Sequence, residues 1–284
     1  MSRGTDPGSQ DSAGSAEVPA ANTADSAGRP WAGRSFEANP HAADDGRMPS
    51  DLAAALDRFR AGEGGQGEVV RAFAASRLLI PLVAELGDGG ADDGDPHGGH
   101  TVGPTGLPVD KSQELSIVTV AGPDGRKVLP VFGSVEAMSR WNRLARPVPA
   151  DGVRVALAAA DDGTDLVVLD PGSPTEFVLR RPAVWAVARS LPWRPPFEEP
   201  DVVAAFERSI ASELAVLGVE LLPGDPDARM AGPELIVRLV LVAGLTRDEL
   251  DATTSRLARR WAEDDRIATG VDSLAVKLVG DAAA

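Results

Sequence analysis

The sequence predicts an α+β chain made of two small mixed-sheet units with helices packed on the sheets. Three observations carry that prediction. A length of 284 residues with 43% apolar side chains suits two modest cores. Amphipathic helical stretches are interspersed with short apolar strands, and a small sheet covered by helices buries both kinds of stripe. The stretch Leu191-Pro-Trp-Arg-Pro-Pro196 can continue neither a helix nor a sheet, so it divides the chain.

Residues 1–49 are rich in Gly, Ser, Ala, Asp and Pro, and cannot bury enough apolar surface to offset their ordering entropy; a disordered tail is expected. One island interrupts it, with Trp31, Arg34 and Phe36. It reads as a chance aromatic pair, as a segment docking on its own chain, or as a partner-binding motif, and the three residues are candidate interaction residues. The first unit, 50–190, opens with a helix whose Leu52, Ala55, Leu56 and Phe59 share a face, then a glycine-rich break and a second helix with Val69, Val70 and Phe73. Arg77–Ala84 reads as a buried strand that Pro81 assigns to an edge or a bulge. An acidic, glycine-rich insertion, 87–110, is expected to be disordered.

Leu115–Val120 and Lys127–Phe132 are strands joined by the turn Gly122-Pro-Asp-Gly125. Ser134 caps a helix carrying Val135, Met138 and Trp141. A short helix or turn follows near Val153–Ala160. The run Leu166–Leu169 is apolar throughout, as in a strand covered on both faces, and Phe177–Leu179 returns beside it. Pro182 starts a helix with Val184, Trp185 and Val187. Residues 191–200 form a linker with Trp193 as its anchor.

The second unit, 201–281, is expected in the order α-β-β-α-β. Val203, Phe206, Ile210, Leu214 and Leu217 fit one helix. Gly218–Leu222 and Glu234–Val242 are strands. Thr246-Arg-Asp-Glu249 has the capping-box spacing, and Val271–Val279 closes the unit as an alternating strand.

A net charge of −15 disfavours nucleic-acid tracking and docking on anionic membranes. The absence of cysteine removes disulfides, thiolate metal sites and thiol nucleophiles. Met1–Ala21 lacks an apolar signal core and no run of about 18 apolar residues occurs, so the cytoplasm is the expected location. Gly62-Glu-Gly-Gly-Gln-Gly67 matches a dinucleotide pattern literally, but it follows a helix where that pattern needs a strand. Asp92–His100 offers carboxylates and imidazoles on a loop that cannot hold them in place. No metal or cofactor is expected. All three histidines fall in the tail and the insertion, which leaves acid–base chemistry to carboxylates and lysines. Arg140, Arg143 and Arg146 recur at helical spacing, and Arg180 and Arg181 precede a helix; each set reads as a solvated face or as an anion or partner site.

Two stretches, Pro130-Val-Phe-Gly-Ser-Val-Glu-Ala-Met138 and Leu169-Asp-Pro-Gly-Ser-Pro174, resemble the enhanced-serine-sensitivity (SseB) family and its actinobacterial relatives, over residues 50–190. The resemblance implies a cytosolic α+β domain without assigned catalytic residues. It also implies a link to serine sensitivity through an unidentified protein partner, a sulfurtransferase-like neighbour being one such partner. Asp170, Gly172 and Ser173 of the second stretch, with Arg140 and Arg143, join the candidate interaction residues. The expected function is a non-enzymatic protein-binding or regulatory role. The alternative is a carboxylate/arginine enzyme or small-molecule binder in the cleft between the two units.

Overall fold

The computed structural model describes residues 44–84, 115–117, 119–122 and 125–280. The aromatic island, nearly all of the predicted tail, and the acidic insertion lie outside them. The chain opens with α1 (Ser50–Arg60) and α2 (Gln66–Ala74), whose buried faces are Leu52, Ala55 and Leu56, then Val69, Val70 and Phe73. β1 (Arg77–Ala84) pairs antiparallel with β2 (Leu115–Ile117) and with β5 (Arg146–Asp151). β3 (Val120–Ala121), β4 (Lys127–Val131), β6 (Leu166–Leu169) and β7 (Phe177–Leu179) form a second sheet in the order β3-β4-β6-β7.

β4 and β6 run parallel, joined through α3 (Val135–Trp141), β5 and α4 (Gly152–Asp161). Mutual hydrogen bonds between Leu79 and Phe132, at 2.8 and 2.9 Å, tie the two sheets together. The four side chains of β6 are buried and alternate between two apolar clusters: Val167 and Leu169 join the helices, while Leu166 and Val168 meet Val128 and Val178. This is the strand covered on both faces that the apolar run predicts.

After α5 (Arg181–Ala188) and the proline-rich segment come α6 (Pro200–Ile210), β8 (Val216–Pro223), β9 (Leu235–Leu241), α7 (Arg247–Glu263), α8 (Asp265–Gly270) and β10 (Leu274–Gly280). The sheet order is β10-β9-β8, with β10 parallel to β9. Leu235, Val237, Leu239 and Leu241 alternate into a core with Val202, Phe206, Leu257, Trp261 and Ile267. The capping box at Thr246 and Glu249 is formed. With eight helices and three small sheets among the described residues, the fold is α+β.

Several elements differ from the sequence reading. β5 was not anticipated because Pro147 and Pro149 disguise it. Both prolines oppose β1 at non-hydrogen-bonded positions, Pro147 facing Pro81, where no N–H is needed. β1 is the middle strand of its sheet, yet Pro81 is tolerated because β2 pairing begins only at Leu82. The predicted strand Leu115–Val120 divides between two sheets. α3 stops at Trp141, where Asn142 turns extended, so Arg143 lies beyond the helix and Arg146 in β5, and no arginine face forms. α6 ends at Ile210 instead of running to Leu217. The buried Glu213 carboxylate is held by Arg256 and Arg260 of α7, at 2.7 and 2.9 Å, which draws the chain out of the helix and leaves Leu217 to β8. Finally, Asp264 caps the unanticipated α8 by accepting from the N–H groups of Arg266 and Ile267, so the last strand starts at Leu274.

Candidate functional site

A cleft of about 830 Å³ lies between α2, the start of α4, the end of α5 and the proline-rich segment. Its position follows from how α5 ends. Ser190 takes φ +55°, and the N–H groups of Ser190 and Leu191 bond back to the carbonyls of Val187 and Ala186 at 2.9 and 2.8 Å. This is a Schellman closure with serine in the place usually taken by glycine. The chain reverses there, and Trp193 packs against the first core while Pro195 and Pro196 are buried. Gly67 permits the approach: a Cβ at that position would stand 3.2 Å from the Trp193 carbonyl oxygen.

Val70, Ala74, Val153 and Val187 supply apolar surface to the cleft, Trp193 stands on the strap side, and Glu68, Arg71, Arg194 and Glu198 bring charge. Glu68 is paired with Arg58 at 2.8 Å. Among the described residues, Arg71 and Arg194 have no carboxylate partner. The cleft therefore combines apolar contact with two guanidiniums, a group that binds carboxylates through paired charge-assisted hydrogen bonds.

The predicted site residues are placed elsewhere. Arg140 is exposed and paired with Glu136 at 2.5 Å along α3, and Arg143 is exposed beyond it. Asp170 is fully buried with φ +48°. It accepts from the Gly133 N–H at 2.8 Å and the Thr175 hydroxyl at 2.7 Å, clasping the β4–α3 turn to the β6–β7 turn. Burial raises its pKa against the pull of those two bonds. Gly172 donates its N–H to the Glu176 carboxylate at 2.6 Å, and the Ser173 hydroxyl lies 2.9 Å from that of Thr175. These contacts stabilise a turn, so the motif that is most legible in the sequence holds the fold at this point.

Arg180 and Arg181 serve the junction with the second half. The buried Arg180 donates to Asp225 at 2.7 Å, the Gly232 carbonyl at 2.8 Å, Ser273 at 3.2 Å and Asp272 at 3.4 Å. Arg126 binds Asp272 through both carboxylate oxygens, at 2.8 and 3.1 Å. Arg181 donates to the carbonyls of Ala268 and Val271. Beside them Glu234 accepts from the Asp272 N–H at 2.6 Å. Burial pushes its pKa up to about 7, the neighbouring Asp272 charge adds to the rise, and the Asp272 N–H and the Arg180 and Arg181 charges oppose it.

Sequence reasoning missed Arg71 and Arg194 as site residues because they carry no motif. Trp193 was legible as an anchor; that it walls a cleft was not.

A model of the SseB protein N-terminal domain matches residues 52–186. No curated protein and no solved structure matches the chain. The matched span holds α1 through most of α5, with Pro130–Met138 crossing from β4 into α3 and Leu169–Pro174 forming the turn that Asp170 clasps. The match assigns residues 52–186 to the SseB protein N-terminal domain family.

Proposed function

We propose that this chain is a non-enzymatic protein-binding or regulatory protein that takes an extended, carboxylate-bearing segment of a protein partner into the cleft beside Trp193. The observation that carries this reading is the pair of unpartnered guanidiniums, Arg71 and Arg194, around an apolar lining in a protein of net charge −15. Among the described residues, neither cation has a carboxylate within ion-pair distance. Each charge-assisted bond they form with a desolvated carboxylate contributes about 1.5–3 kcal/mol, and the apolar lining adds burial. The family resemblance gives the direction: a cytoplasmic role in serine or sulfur metabolism exerted through a partner of the sulfurtransferase type.

The test is calorimetric titration of the purified chain with a rhodanese-type sulfurtransferase from the same cell, repeated with the double variant Arg71→Glu, Arg194→Glu. Both side chains are exposed, so the variant should melt where the parent does. Binding that weakens at least tenfold in the variant supports the reading. No heat with the parent sinks the sulfurtransferase assignment, and equal affinity for parent and variant sinks the cleft.

One observation favours a second reading. An open cavity of about 520 Å³ at the junction, lined by Arg126, Arg180, Asp272 and Ser273, is where a carboxylate/arginine enzyme or small-molecule site would sit. Against it, Arg180 and Asp272 are already bonded to each other. A thermal-shift screen with small anions discriminates: a shift abolished by Arg126→Ala and untouched by the Arg71 and Arg194 changes favours the junction.

A further inference from the structure

β10 is the edge strand of its sheet. It pairs with β9 over seven consecutive residues, Leu274 to Gly280, without a bulge or a proline. The opposite edge is blunted: β8 has a register break between Val216 and Gly218, points Glu220 outward and ends at Pro223. The two edges of one sheet are therefore built differently.

The direction of the free backbone groups follows from one bond. The Ser273 carbonyl accepts from the Leu235 N–H at 3.1 Å, so Ser273 directs its polar groups toward β9. Alternation then turns Ala275, Lys277 and Val279 toward β9, and leaves the N–H and C=O of Leu274, Val276 and Leu278 pointing away from the sheet. The same three residues lie opposite Leu235, Val237 and Leu239, so their side chains extend the buried apolar face. Val276 and Leu278 are nonetheless 40% and 42% exposed. Among the described residues, unpaired backbone groups and uncovered apolar side chains thus belong to the same residues.

We infer that a second copy of this chain pairs antiparallel along the free edge of β10, about a two-fold axis at Val276, joining two three-stranded sheets into one. The register selects itself. A two-fold normal to the sheet must pass through a residue, since directly opposed residues share a face. Centred on Lys277, it would set Lys277 against its own copy, a like-charge pair that destabilises. Centred on Ala275, it would oppose Leu278 with Asp272. Centred on Val276, it opposes Val276 with Val276, Leu274 with Leu278, and Ala275 with Lys277. The outward backbone groups of Leu274, Val276 and Leu278 then meet those of Leu278, Val276 and Leu274 as three hydrogen-bonded pairs, each exchanging two bonds.

The experiment is sedimentation equilibrium of the full chain across concentration, with Val276→Lys as the disrupting variant. At about 50 µM, above the micromolar end of the range that protein interfaces span, the parent should run at twice the 29.4 kDa of one chain. Val276→Lys should run as one chain with an unchanged circular dichroism spectrum. Because the chain contains no cysteine, Val276→Cys reads the axis directly. Opposed residues there stand about 5.5 Å apart, within disulfide reach, and oxidation should cross-link the chains. Lys277→Cys, off the axis and on the other face, should cross-link far more slowly. A parent that stays monomeric overturns the proposal, as does a dimer that survives Val276→Lys. Faster cross-linking through position 277 than through 276 overturns the register. None of these readouts depends on the cleft.

Discussion

Replacing Arg180 with methionine tests whether the buried charge network holds the two halves of the chain together. Methionine matches much of the stem length and none of the donors. Asp225 and Asp272, each with a side chain only 2% exposed, lose a guanidinium, and the Gly232 carbonyl loses its 2.8 Å donor. Removing one partner of a buried ion pair typically costs about 3–5 kcal/mol. Two features place this case near the lower end. Asp225 keeps the N–H groups of Arg229, Met230 and Ala231, at 3.1, 2.8 and 3.3 Å, and Asp272 keeps both bonds from Arg126. The expected loss is therefore about 3 kcal/mol. Urea unfolding at one fixed protein concentration measures it, with circular dichroism and tryptophan fluorescence followed together. If the network is the fastener, the two probes separate in the variant, and adding Asp225→Asn to Arg180→Met costs less than the sum of the two single changes. A loss under about 1 kcal/mol with coincident curves, the range of an exposed pair, would refute the reasoning.

Glu234 gives the network a pH dependence whose sign can be fixed. Its pKa is raised in the folded state from 4.5 to about 7, so its contribution is complete below about pH 4.5 and is lost as pH rises toward 7. The shift corresponds to a contribution on the order of 3 kcal/mol. Glu234→Gln keeps an acceptor for the Asp272 N–H and should flatten stability between pH 5 and about 7; a urea midpoint with the parent's slope in that window counts against it. Asp170→Ala strands the buried Gly133 N–H and the Thr175 hydroxyl and should cost about 1–3 kcal/mol, while Asp170→Asn, which keeps one acceptor oxygen, should cost less. Thermal melts of the two variants check the order, and an Asp170→Ala melt that matches the parent's would show that the clasp contributes nothing.

Much of the first core was legible because its signals are local and redundant. Apolar spacing placed α1, α2 and β6, Ser134 announced α3, and Thr246 with Glu249 announced α7. The failures arise where a residue answers to something distant in sequence. Glu213 is drawn out of a helical pattern by guanidiniums on α7. Pro147 and Pro149 fit a strand only because their positions against β1 require no N–H. The site was less legible still. Asp170, Gly172 and Ser173 stand out as a motif because a tight turn constrains residue type, whereas Arg71 and Arg194 matter only through a cleft that α2, α5 and Trp193 assemble. Arg180 and Arg181 read from sequence as a solvated face or as an anion or partner site, because the partners that bury them lie more than forty residues away.

The way this chain treats its sheet edges strengthens the case for β10. β7 is the last strand of its sheet, and its Val178 N–H is taken up by the Ala228 carbonyl at 2.8 Å, from the loop between β8 and β9. That loop is itself tied down: Ala228 is buried in the first core, Arg60 of α1 donates to the Asp227 carbonyl at 2.8 Å, and Asp225 is clamped by Arg180. β5 carries two prolines on a strand of six residues. β8 has its register break and Pro223. Each device removes an invitation to pair with another strand, by occupying the N–H, deleting it or bending it away. Proline, bulge and cap are all absent from the β10 ladder, and Lys277 directs its backbone groups inward to β9. The chain blocks the edges at β5, β7 and β8 by three different means and leaves β10 regularly paired and unblocked, open to a strand, and the register that avoids opposed charges makes a second copy a matching occupant.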